Sequence, residues 1–103
     1  MDNDEPPATL LVLAFDDLQN QINRRAHIFT ETTLRNPNTV LLGLDEAALC
    51  RDFARLKHIR MMKGSMEADP STGDMTLLMG MKVIHTDECS LIEPCFLPLR
   101  PGS

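Results

Sequence analysis

The chain contains no tryptophan and no tyrosine, and its four phenylalanines make up the whole aromatic content, 4% of 103 residues. Surfaces that stack the bases of single-stranded nucleic acids are built from such rings, so that class has almost no material here. Bases are also in the minority: ten Lys and Arg against fifteen Asp and Glu leave a formal charge of −5. A protein that gains affinity by displacing counterions from phosphates needs the opposite balance, and direct nucleic-acid binding is not expected. Long apolar runs are absent; the longest, Leu10 to Phe15, has six residues, against the roughly 18–20 of a membrane span. It follows acidic residues rather than a basic stretch, which argues against a signal peptide and against membrane association. Cysteine is sparse and odd in number, with Cys50, Cys89 and Cys95 alone. Three thiols cannot form a disulfide scaffold, and they read as reduced cysteines of a cytoplasmic protein.

What is present defines one small domain. Apolar residues make up 43% and charged residues 24%, too apolar a mixture for a disordered chain. The length suits a single modest core, which an enclosed active site would have to share. Residues 51–63 carry Arg51, Arg55, Lys57, Arg60 and Lys63 against Asp52 alone, a local +4 that leaves −9 over the rest. These bases either offset the dipole of a helix near its C-terminus or form a stripe for an acidic partner. Six of the seven methionines lie between Met61 and Met81. Flexible thioethers fill irregular cores and also make adaptable contact surfaces.

Residues 1–8 read as an acidic arm ending near Pro6-Pro7. Leu11, Phe15, Leu18, Ile22, Ala26 and Phe29 recur at helical spacing, predicting a helix over roughly 16–32. Residues 9–15 are open to helix or strand; as a strand, they would leave Asp16 as helix cap with Gln19 completing a capping box. Asn36-Pro37-Asn38 breaks the chain, and Thr39-Val40-Leu41-Leu42 has the look of a buried strand ended by Gly43. Asp45 is the expected N-cap of a second helix, with Leu44 stapled onto Leu49 and with Leu49, Phe53 and Leu56 on one face. That helix should end between His58 and Gly64. Asp69-Pro70-Ser71-Thr72-Gly73-Asp74 is a hairpin turn. Met75 to Thr86 follows as the most strand-like stretch, with Gly80 marking a bulge or close backbone approach. Leu91 to Leu97 can form an edge strand, to which Pro94 is confined. The expected architecture is α+β: a two-layer sandwich over residues 9–97, ordered helix, strand, helix, then two or three strands. Residues 98–103 form an extended proline-bearing tail.

No reaction chemistry emerges. His85, Cys89 and Cys95 are spaced by four and six residues, without the close ligand pair typical of zinc sites. His85, Asp87 and Ser90 contain triad letters, but triads draw their members from separate elements. Asp69, Ser71 and Gly73 begin like a calcium loop whose twelfth position, here Gly80, lacks the required Glu. Gly43 stands alone, without the further glycines or Lys of a phosphate loop. The sequence thus predicts neither a catalytic site nor a cofactor.

Asn38-Thr39-Val40-Leu41-Leu42-Gly43, then Ala47-Ala48-Leu49, then Gly73 through Ile84 resemble the strand–helix–strand centre of tailed-phage capsid subunits. They are also similar to short phage and prophage proteins of the same layout, over residues 38–97. The resemblance implies a phage-encoded, non-catalytic protein, in the host cytoplasm or the virion, that binds other proteins or its own copies, for instance in assembly. One alternative is an acidic inhibitor of a host nucleic-acid-handling or defence protein; another, from a different class, is a small metal- or thiol-dependent enzyme. The residues expected to carry interaction are Arg51, Arg55 and Arg60 on the basic segment, Met62, Met66, Met79 and Met81 around the hairpin, and Cys95 with Phe96 near the C-terminus. A tail such as Pro94 to Ser103 can add a strand to a neighbour's sheet.

Overall fold

Helix α1 spans Ala8–Thr33 and settles the stretch left open by the sequence: residues 9–15 are helical. Leu11 and Phe15 continue the apolar spacing of Leu18 and Ile22 without a breaker, so one face stays in register throughout; Phe15, Leu18 and Ile22 are buried. The computed structural model describes residues 8–57 and 66–98. After α1 come β1 (Thr39–Leu42), α2 (Leu44–Lys57), β2 (Met66–Ala68), β3 (Met75–Leu78), β4 (Met81–His85) and β5 (Ile92–Cys95). The five strands form one mixed sheet in the order β2-β3-β4-β1-β5, with β1 parallel to β4 and antiparallel to β5. This is an α+β sandwich of two layers.

Both helices cover the same face of the sheet. Val40 and Leu42 of β1, Met81 and Val83 of β4 and Leu78 of β3 meet Phe15, Leu18 and Ile22 of α1 and Cys50 and Ala54 of α2 in one core. The Phe15 and Phe53 rings lie parallel with centroids 3.8 Å apart, joining α1 to α2. Along the opposite face, the register sets Glu67, Leu77, Lys82, Thr39 and Cys95 in one row, with Ile84, Leu41 and Glu93 in the next.

Three expectations change. The strand foreseen over Met75 to Thr86 is two strands, because Met79 and Gly80 (φ +54° and +78°) form a two-residue turn between the paired Leu78 and Met81. Positive φ at both positions matches the right-handed twist of the flanking strands, and it brings the strands after α2 to four. Second, α2 begins before Asp45, which is not its cap. The Leu44 and Asp45 N–H groups donate to the Glu88 and Cys89 carbonyls (2.7 and 2.9 Å), so a distant loop supplies acceptors that a capping side chain ordinarily provides. Leu44 stays largely exposed. Third, Met75 and Met81 fill the core, with Met66 and Met79 packed against it. Met61, Met62 and Arg60, the acidic arm at residues 1–7, the stretch between His58 and Gly64 where the second helix is expected to end, and the tail beyond Pro98 lie outside the described residues.

Candidate interaction groove

Gly43 decides how α2 sits on the sheet. A Cβ there would lie 2.6 Å from the Leu91 nitrogen and 2.8 Å from the Glu88 carbonyl oxygen, so only glycine lets the β4–β5 loop close on the β1–α2 junction. Glu46 fastens the loop from the other side: its carboxylate accepts from the Ser90 hydroxyl (2.6 Å) and the Leu91 N–H (3.0 Å). Burial pushes the Glu46 pKa up, but these bonds and backbone donors of the first helical turn outweigh it, and the net shift is downward. With the loop lodged there, the α2 N-terminus is occupied by the protein's own carbonyls.

The same closure opens a groove on the outer side of α1. Ala14, Asp17, Leu18, Gln21 and Arg25 line it from the helix, Asp45, Glu46 and Leu49 from α2, and residues 90–93 from the approach to β5; its volume is about 650 Å³. It continues into a second hollow of about 360 Å³ between Arg25, Ile28, Phe29, Thr32 and Thr33 of α1 and Ile92–Pro94 of β5. Arg25, Ile92 and Glu93 belong to both hollows, so α1 and β5 border one continuous channel running in the same sense. The helix positions recur every three or four residues, one stripe of α1. One end is polar, with the Asp17, Asp45 and Glu46 carboxylates; Gln21 donates to Asp17 at 2.8 Å. The other is apolar, with Ile28 61% exposed beside Phe29 and Pro94.

The floor of this channel is a sheet edge. The Gly43 N–H donates to the Leu91 carbonyl (3.0 Å), which makes 43/91, 41/93 and 39/95 the bonded pairs and turns the backbone groups of Ile92 and Pro94 outward. Pro94 therefore loses no bond to β1, as expected for an edge strand. Among the described residues no strand pairs with the outer side of β5.

The sequence-predicted residues are not gathered at this groove. Arg51 pairs with Asp74 (3.3 Å), tying α2 to the β2–β3 turn. Arg55 is exposed and 3.8 Å from Asp52. Met81 is closed inside the core, and Met66 and Met79 pack against its rim, so none of the three forms an open apolar ribbon. Cys95 faces the other side of the sheet beside Thr39, its thiol pKa raised by burial and by the Glu93 charge. Phe96 lies under the Arg35 guanidinium, 4.9 Å from the ring centre. Of the segment from Pro94 to Ser103, the part described is held at home: β5 pairs with β1, and Asn38 binds Leu97; residues 99–103 lie outside the described residues. Among the described residues no three His, Cys, Asp or Glu side chains converge as a metal site, and no helix is long and apolar enough to cross a membrane.

Compared with protein-family models, curated proteins and solved structures, the chain matches none.

Proposed function

We propose that this protein is a small non-catalytic interaction module that works by binding another protein in the α1–β5 groove, in the phage-type setting that the resemblance of residues 38–97 implies. One observation carries the reading. A continuous channel joins a sheet edge that no described strand pairs to an exposed helix stripe, polar at one end and apolar at the other. Edge strands are ordinarily shortened, charged or given a proline because their unpaired groups invite other chains; β5 is short and carries Glu93 and Pro94, and the apolar surface left beside it is the exposed Ile28. The test is capture from a lysate of cells producing the whole virus or prophage, with wild-type and Ile28→Asp protein compared by mass spectrometry. Ile28 is exposed, so the variant folds. The reading expects a partner retained by wild type and lost by the variant. Equal recovery by both, together with a concentration-independent monomer in light scattering, would overturn it.

A further inference from the structure

The outer side of β5, the carboxylates at one end of the groove and the apolar surface at the other together specify what fits there. We infer that the groove takes an extended segment of a different protein as a sixth strand on β5, with a Lys or Arg side chain over Asp17 and Asp45 and an apolar side chain over Ile28 and Phe29. This deepens the interaction-module reading and rests on it.

Strand addition follows from the edge. Ile92 presents both its N–H and its carbonyl outward, whereas Pro94 is buried and has no N–H. An incoming strand thus finds one donor and one acceptor at Ile92, which set its register. The side chains that such a strand turns toward the helix layer meet the α1 stripe at Asp17, Gln21, Arg25 and Ile28.

Charge selects the basic end. Asp17, Asp45 and Glu46 set three carboxylates around the first hollow against the single guanidinium of Arg25. The two acids of α2 also complement its helix dipole, but Asp17 lies mid-helix in α1, where no dipole calls for it. Spacing links the two ends. Asp17 and Ile28 are about 16 Å apart along the helix axis, which an extended chain covers in about five residues. Both side chains must face the helix, so the basic and apolar residues of the partner stand an even number of positions apart, four or six.

The test is selection from a synthetic random-peptide library on the immobilised full chain, followed by binding of the selected peptides to wild-type, Asp17→Lys and Ile28→Asp protein. The inference expects peptides with Lys or Arg four or six positions from Leu, Ile, Val or Phe, binding weakened about tenfold or more by each substitution. It also expects the Ile92 amide to exchange more slowly with solvent in the complex. Circular dichroism confirms that the exposed substitutions leave the fold intact. Selected peptides that lack the basic residue, that ignore both substitutions, or that leave Ile92 exchange unchanged overturn the inference while the interaction-module reading stands. A dimer dissociated by Asp17→Lys overturns it in favour of a second copy of the chain. Selection of no peptide overturns the inference; added to failure of the lysate capture, it removes the broader reading as well.

Discussion

Asn38 and Leu97 are joined by two hydrogen bonds that imitate one more rung of the sheet: the Asn38 Nδ2 donates to the Leu97 carbonyl at 2.8 Å, and its Oδ1 accepts from the Leu97 N–H at 2.9 Å. The Thr39 hydroxyl donates to the same Oδ1 at 2.9 Å. This side chain carries the β1–β5 ladder past the end of β5. Asn38→Ala should lower stability to urea by about 1–2 kcal/mol, the net value of two such bonds. Amide exchange at Leu97 should speed up in parallel. Asn38→Asp should fall between the two, because a carboxylate keeps the bond from the N–H and repels the carbonyl.

Gly43 is the least replaceable position in the junction. Its missing side chain leaves room for backbone atoms of Glu88, Ser90 and Leu91, none of which can rotate aside as a side-chain tip would. Gly43→Ala should destabilise by about 1–3 kcal/mol, the range for overpacking, read from the shift of the urea midpoint. Gly80, with nothing near its absent Cβ, should respond to alanine only through its positive φ.

Acid should loosen the same junction. The Glu46 pKa lies below its ordinary 4.5, so the ionised group stabilises the folded state above that pH, and the contribution is lost as pH falls through the folded-state value. Asp69, which accepts from the Ser71 N–H and hydroxyl, is shifted in the same direction. Glu46→Gln should be less stable than wild type at neutral pH, and the gap should narrow below about pH 4.5. Urea midpoints measured across that range decide it.

Thiol chemistry should separate the three cysteines. Cys50 is fully buried, and burial, aided by the nearby Glu46 charge, pushes its pKa up to about 12; Cys89 is exposed. A disulfide reagent at neutral pH should modify Cys89 first, Cys95 more slowly and Cys50 only after unfolding. Mass spectrometry of the native and denatured protein resolves the order. Rapid labelling of Cys50 in the native protein would contradict the packing of α2 on the sheet.

Leu34 ends α1 at φ +62° while 88% exposed. A left-handed backbone costs a branched residue about 1–2 kcal/mol that glycine escapes, and this position of a helix terminus commonly holds glycine. Leu34→Gly should raise the melting temperature by a few degrees, measured by calorimetry.

Much of the fold was legible because its signals are local. The α1 face, the Asn36-Pro37 break, the 69–74 turn and the edge position of Pro94 all follow from residues within a few positions of each other. The misses have different causes. Asp45 looks like a cap in its own neighbourhood, and only the arrival of Glu88 and Cys89 makes a cap unnecessary. Met79-Gly80 hides a turn because methionine is an unusual residue to hold in the left-handed region. The groove was least legible. Asp17, Gln21, Arg25 and Ile28 read as the solvated side of a helix, and nothing near them announces that β5, drawn from residues 92–95, will run alongside.

The sheet order also sets a sequence of events. β1 lies between β4 and β5, so Thr39 pairs with Lys82 on one side and Cys95 on the other. The β3–β4 hairpin closes over two residues, and hairpins of this kind form within microseconds. β1 must instead wait for segments far along the chain, whose loop-closure entropy slows folding. During synthesis, Thr39-Val40-Leu41-Leu42 therefore emerges well before either of its neighbours. It is an apolar segment that needs shielding until they follow.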